Sequence, residues 1–533
     1  MGKFLTFFLI IIFLIYANSL GNAFVADDIA GIANNLDIGN FNSIISRPLG
    51  FIGPFFYFIA YGLGGLNPFL YHLFNIFFHL SNVILIFILI KHLKNQTLAF
   101  ITALLFAIHP ILTESVTWIS ACSYLQYTFF SLLSLYLFIL FSENTNKKKY
   151  LWFSVISFYF ALASSEKAII LPLIIVFYLL AFPNKKFAWK FIFAYAPIVL
   201  LFGFNYLGAF QQRTTALQTT FYQEKAIANP LLQIPIAFTS YLELIFWPQG
   251  LTLYHSEMSF TATEFFIKVI IFIIFISIIA VSFRKNKLIF FWLSFFLISL
   301  LPTMTPFGIS WVVAERYVYL GTIGIAVITA IGIIKIGQIF KNERITYGIT
   351  AVLVLLLSVR TILRNADWQN QDTLWLSAAK YSPSSSQNHN NLGDLYARHG
   401  DLSKAAEEFQ IAINLKPNYG DAYHNLAGTY LAMGKADLAI KNYQKALSFN
   451  PHLWQSYQNL GAIYFNQNDF VTAKEYFKKA ILVNSQSISL HFNLGVIYVK
   501  LGDRDNARQE FLTTLQLDPY NLSARQGLAE VTK

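Results

Sequence analysis

The chain has 533 residues, 56% of them hydrophobic and 17% aromatic, with only 12% charged and 54 phenylalanines, and its mean hydropathy is +0.51. Such a composition excludes an ordinary soluble enzyme. The net charge of +11 does not mark a nucleic-acid binder, because the cations sit in short clusters between apolar runs; a single cysteine, Cys122, excludes intrachain disulfides and a cysteine zinc cage.

Windows of about 18–25 mostly apolar residues mark membrane spans. They lie near 4–20, 68–90, 97–110, 123–141, 150–164, 167–182, 190–208, 264–283, 288–302, 314–338 and 344–361, so the expectation is about eleven. The first reads as an anchor, with a cleaved signal peptide as the alternative. The stretches 48–63 and 231–247 are interrupted by Gly or Pro and read as interfacial or re-entrant pieces. Basic clusters at 91–94, 147–149, 184–190, 284–287 and 341–344 fall on alternate loops. The positive-inside rule places all five in the cytoplasm. The loops at 21–47, 109–122, 209–262 and 303–313, and everything after 364, are then expected outside it.

That outer edge carries the polar residues worth attention. "AFVADDIAGIANN" (23–35) puts Asp27 and Asp28 directly after the first span. Arg47, His109, Glu114, Glu166, Lys167, Arg213, Glu315 and Arg316 follow, with Tyr317 beside the last. Ionisable groups at a lipid boundary are costly, and cations on this side run against the positive-inside preference. Carboxylates beside cations suit a hydroxyl nucleophile and a lipid-linked phosphate leaving group; ion pairing between helices is the plainer alternative. No phosphate-binding glycine loop and no histidine–carboxylate metal helix is present. "DRD" (503–505) sits in an inter-helix turn and reads as a turn.

From about residue 365 the composition changes, and the sequence repeats with a period of 34: "NNLGDLY" (390–396), "HNLAGTY" (424–430), "QNLGAIY" (458–464) and "FNLGVIY" (492–498). Each is followed by a small–aromatic–small set, such as Ala405/Phe409/Ala412, and Pro417, Pro451 and Pro519 close three units. This is the tetratricopeptide (TPR) pattern. Small residues let two helices approach, and the aromatic fills the gap. Trp375, Ala378 and Pro383 stand where a preceding half repeat ends, and "SARQGLAEV" (523–531) reads as a capping helix. The array is thus expected to start at the last span without a flexible linker, as a docked arm. Asn391, Asn425, Asn459 and Asn493 form a column at the same spacing. An amide donates and accepts at once, so the column suits an extended acceptor polypeptide of any sequence; solvated surface is the alternative.

The "DD" after the first span, "SRPLG" (46–50), "GLNPFLYHLFNIFFHL" (65–80), "LLFAIHPILTESVTWIS" (104–120), "SSEKAIILPL" (164–173) and "AERYVYLGTIG" (314–324), followed by TPRs, resemble the transmembrane-and-TPR O-mannosyltransferases. The resemblance spans nearly the whole chain. It implies an all-α fold: a polytopic GT-C-type membrane domain over 1–364 and a TPR α-solenoid over 365–533. It also implies a glycosyltransferase that uses a polyprenyl-phosphate sugar as donor substrate at the non-cytoplasmic face of a plasma or ER membrane. By this analogy Asp27 is the general base for a Ser or Thr hydroxyl, with inversion, and Asp28 is its partner. Arg316, Lys167 and Arg47 meet the donor phosphate. His109, Glu114, Glu166, Glu315 and Tyr317 are supporting residues that orient acceptor, metal or loop. This reading fixes no cofactor and leaves a divalent metal open. Relatives often carry Arg two residues after the Ser of "WIS", where this chain has Cys122, which leaves the phosphate charge to the three cations just named. The sugar, mannose, comes by analogy alone. Two other functions compete: the same chemistry on a glycan or lipid acceptor, and a non-catalytic membrane scaffold displaying TPRs.

Overall fold

A computed structural model describes residues 2–45, 50–204, 230–255, 260–304 and 313–532, and among them every regular element is helical. Two compact units are present, Met1–Ser382 and Pro383–Lys533.

The first unit is a set of apolar helices: α1 (Gly2–Tyr16), α2 (Phe41–Ile45), α3 (Ile52–Gly64), α4 (Pro68–Leu93), α5 (Gln96–Ala107), α6 (Thr113–Thr117), α7 (Cys122–Glu143), α8 (Lys148–Ser164) and α9 (Leu171–Ala181). After these come α10 (Pro230–Phe246), α11 (Ala262–Lys285), α12 (Lys287–Leu300), α13 (Thr322–Ile339), α14 (Glu343–Asp367) and α15 (Gln371–Tyr381). Asn side chains accept from backbone N–H groups at the starts of α4, α5, α12, α14 and α15. Each of these caps answers donors that a helix start leaves open. They fix where the chain re-enters the apolar layer.

Among the described residues six helices are long and apolar enough to cross a membrane, and seven if α5 and the turn Pro110–Thr117, bent by 55°, form one broken span. The protein is an integral membrane protein. The expected count of eleven is not reached among the described residues, and the end of the stretch at 190–208 lies outside them. The apolar stretch at 167–182 divides into a 3-10 turn and an eleven-residue α9, and 288–302 ends in a proline-containing 3-10 turn. Apolarity alone sets no helix length where Pro and Ser interrupt the hydrogen-bond ladder. The stretches at 52–64 and 232–246 fold as short apolar helices, consistent with partial penetration.

The second unit is a solenoid of helix pairs: α16 (Ser386–Arg398) with α17 (Leu402–Leu415), α18 (Gly420–Ala432) with α19 (Ala436–Phe449), α20 (Trp454–Asn466) with α21 (Phe470–Val483) and α22 (Ile488–Lys500) with α23 (Arg504–Leu517), closed by α24 (Leu522–Val531). The repeat pattern places these pairs as read from sequence. Phe409, Tyr443, Phe477 and Phe511 are buried, as are the flanking alanines. A methyl group on Gly461 would lie 2.6 Å from the Phe477 ring, so glycine is needed there for close approach. The half repeat at 371–381 groups with the first unit. The packing boundary therefore falls one helix beyond the change in composition at 365.

Candidate active site

Two adjacent acids end up in opposite environments. Asp27 is exposed and Asp28 is wholly buried. Ala26, directly before them, has φ +51°, a left-handed conformation that costs a non-glycine residue on the order of 1 kcal/mol. It is followed after the acids by one turn of π-helix, Ile29–Ala33. Strained backbone of both kinds concentrates at functional sites. Asp28 is the anchor of the loop. Its Oδ1 accepts from the Ser120 N–H at 2.8 Å and from the Ser120 hydroxyl, and its Oδ2 accepts from the Val25 N–H at 3.2 Å. Burial pushes its pKa up to about 6, against the pull of those three donors.

The cations lie on a second wall. Glu114 is wholly buried and takes both the backbone N–H of Arg316, at 2.9 Å, and an N–H of its guanidinium. The guanidinium lies 5.3 Å from the Trp118 ring and 5.1 Å from the Tyr317 ring. Lys167 Nζ is 3.2 Å from Glu166 Oε1 and sits over Tyr124 and Tyr317, at 5.1 and 5.5 Å. A guanidinium has five N–H donors and an ammonium three, so each carboxylate orients its cation without exhausting it. Tyr254 joins the two walls: its hydroxyl lies in the fields of Asp27, Arg316 and Glu114, while burial pushes its pKa up to about 12.

One short segment organises all of this. Between α5 and α7 the chain breaks helix repeatedly, at 108–112 and again at 117–121. Glu114, Trp118, Ser120 and Tyr124 hang from it or from the first turn of α7. Cys122 is buried in the same stretch, 3.1 Å from the Tyr57 hydroxyl. A methyl group on Gly53 would meet its sulfur at 3.3 Å. The space around the Cys122 thiol is closed by Tyr57 and Gly53.

Other expected residues fall differently. His109 Nε2–H donates to the Ile245 carbonyl at 3.0 Å and its Nδ1 accepts from the Ile111 N–H at 3.2 Å. Both ring nitrogens are spent on orienting the loop. Glu315 faces away from Glu114's pair: its Oε1 accepts from Arg364 Nη2 at 3.1 Å, and Arg364 Nη1 donates to Asp367 at 2.9 Å. Arg47 and Arg213 lie outside the described residues. Among the described residues no three His, Cys, Asp or Glu side chains gather as metal ligands would. In the repeats, Asn425 donates to the Asn390 side chain at 3.0 Å and Asn459 to the Tyr443 hydroxyl at 2.9 Å. All four column residues are half-buried.

The sequence reading missed Ser120, Trp118, Tyr254, Arg364 and Trp368. The two indoles stack at 5.7 Å, and Arg364 lies over Trp368 at 5.7 Å as Arg316 lies over Trp118. Arg364 was within reach, since a cation just past the last apolar run meets the same test that picked out Arg316.

A family model described as dolichyl-phosphate-mannose-protein mannosyltransferase matches residues 47–205, which include the organising segment. Tetratricopeptide repeat models match 393–434, 418–484 and 488–521. A protein O-mannosyl-transferase of Caenorhabditis elegans is 26% identical over 441 residues, covering 76% of this chain and 61% of that one. In its order of a mannosyltransferase-like region followed by tetratricopeptide repeats, the chain is similar to the proteins named TMTC O-mannosyl-transferases. Tmtc2 of Drosophila melanogaster, also a protein O-mannosyl-transferase, is 31% identical over 128 residues, 24% of this chain and 13% of that one. The chain spans less than two thirds of the length of the curated relatives it matches. Among solved structures, MamA aligns at 23% identity and a TM-score of 0.26 over 27% of this chain and 85% of that chain.

Proposed function

We propose that the membrane unit transfers a sugar, mannose by analogy with the named relatives, from a polyprenyl-phosphate carrier to Ser or Thr hydroxyls of exported polypeptide. The observation that carries this reading is the split acidic pair. Asp28 ties the loop to Ser120, while Asp27 is left exposed, its charge felt with that of Arg316 at the Tyr254 hydroxyl. In one displacement the acceptor oxygen bonds to the anomeric carbon, its proton passes to Asp27, and the bond from that carbon to the phosphate oxygen breaks, with inversion. A carboxylate is a weak base for an alcohol, so proton transfer accompanies bond formation and geometry outweighs basicity. Arg316 and Lys167 stabilise the charge left on the carrier phosphate. The positive-inside pattern supports a site and a repeat array on the non-cytoplasmic face, where the TPRs bind the acceptor chain.

The test is sugar transfer from a polyprenyl-phosphate donor to a Ser/Thr peptide in nanodiscs. Asp27→Asn keeps the shape and removes the base, and its rate should fall about 10²–10⁴-fold with donor binding intact. Arg316→Ala should weaken donor binding as well as turnover, because the phosphate is charged already in the ground state. Near-normal transfer by Asp27→Asn would return the acidic pair to a structural role.

A further inference from the structure

α4 carries four polar side chains on one face, His72, Asn75, His79 and Asn82, and all are buried. Their spacing of three, four and three residues is that of a single helical stripe. In a helix that crosses hydrocarbon such groups are expensive unless answered, and each donates to at least one carbonyl outside its own helix. His72 Nε2–H donates to the Asn22 carbonyl at 3.1 Å. His79 Nε2–H donates to the Ala107 carbonyl at 3.0 Å, which leaves Nδ1 to accept from the Tyr319 hydroxyl at 2.7 Å. Asn82 donates to the Leu125 carbonyl at 3.0 Å and to the same Tyr319 hydroxyl at 3.3 Å. Asn75 gives its amide hydrogens to two carbonyls, Val116 at 3.2 Å and Trp118 at 3.1 Å.

The partners are unevenly chosen. Ala107 is the last residue of α5, and Val116 and Trp118 flank the end of α6. Where a helix stops, its last carbonyls lose their internal donors. In a membrane no water replaces them cheaply. The stripe supplies those donors, and it supplies them to the one irregular segment that carries Glu114, Trp118 and Ser120. We propose that the α4 stripe, centred on Asn75, is a set of positioning residues that clamps segment 107–122 and thereby sets the separation of the acidic loop from Arg316. The role in turnover rests on the transferase reading above; the clamp itself does not. Asn75 touches neither acid nor cation. It holds Trp118, whose ring lies against Arg316, and through the next two residues Ser120, to which Asp28 is bonded. A displacement of about 1 Å in such a frame costs on the order of 10²-fold in rate.

Cys122 makes the clamp measurable without turnover, since it is the sole cysteine and is buried in the clamped stretch. In nanodiscs the full-length Asn75→Leu variant, close in size but without donors, should react with an uncharged maleimide at least about tenfold faster than the unsubstituted protein. Its kcat should fall on the order of 10²-fold while the donor KM stays within about threefold. Asn75→Ser, whose hydroxyl cannot span two carbonyls, should move in the same direction and decides the matter if the leucine variant does not insert. His92→Gln is the control: on the same helix, His92 bonds Glu143 far along the chain from the site, and both readouts should stay unchanged. Unchanged labelling in the Asn75 variants overturns the clamp. If the unsubstituted protein transfers no sugar, the transferase reading falls while the labelling result still decides the clamp.

Discussion

At Asp28 three donors and a dry pocket pull in opposite directions. Burial wins, and the folded pKa is about 6 against 3.8 for a free aspartate. Between those values the folded chain keeps a proton that the unfolded chain has released. By linkage, the contribution of this group to stability is full below about pH 4, falls as pH rises, and is gone above about pH 6. Thermal unfolding of the unsubstituted protein should therefore shift upward on acidification from pH 7 to 5 by more than it does in Asp28→Asn. Equal shifts in the two proteins would place the proton elsewhere. The sequence named the acidic pair but could not split it. The split depends on the positive φ of Ala26 and on a serine 92 residues away, and neither leaves a local signature. Arg316 and Glu114 were legible as unusual charges at a lipid edge, yet their pairing across 202 residues was not.

At the scale of elements, the repeat register was legible throughout, because a 34-residue period ties small, aromatic and apolar positions to a single helix pair. Its physical cost is testable. Gly461→Ala drives a methyl group against Phe477, an overpacking that should cost about 1–3 kcal/mol and lower the melting temperature of a 383–533 fragment. The second repeat has Ala427 at the equivalent position and Tyr443 in place of Phe, with the Tyr443 hydroxyl bonded to Asn459. The asparagine column is therefore not uniform. If it binds extended acceptor chains, Asn391→Ala with Asn493→Ala should weaken peptide binding to the fragment more than the corresponding changes at Asn425 and Asn459, whose amides already serve the array. Calorimetric titration with an unfolded peptide measures this, and equal effects at all four positions would remove the distinction. Helix lengths in the membrane unit were less legible than their positions. Breaks at Pro110, Pro172 and Pro302 divide apolar runs that a hydropathy window joins.

For the whole molecule, the positive-inside rule applied to the five basic clusters predicts that the repeats lie on the non-cytoplasmic side. A reporter active only in the cytoplasm should be silent when attached to Lys533 and active when inserted at 147–149. Activity at Lys533 would sink the exported-acceptor reading. Trp368 adds a consequence for dissecting the chain. Asp367 and Trp368 lie beyond the last apolar run, in the stretch where the composition already resembles the repeats. Yet Trp368 lies against Trp118, and Asp367 holds Arg364, which in turn holds Glu315 beside Arg316. A truncation placed by composition, after residue 364, would remove half of the indole stack and leave a buried guanidinium short of one carboxylate. The compact unit that holds these contacts ends at Ser382. When repeat arrays are swapped between relatives, in the laboratory or over evolutionary time, a joint after that residue keeps the indole stack and the Arg364 ion pairs within one unit.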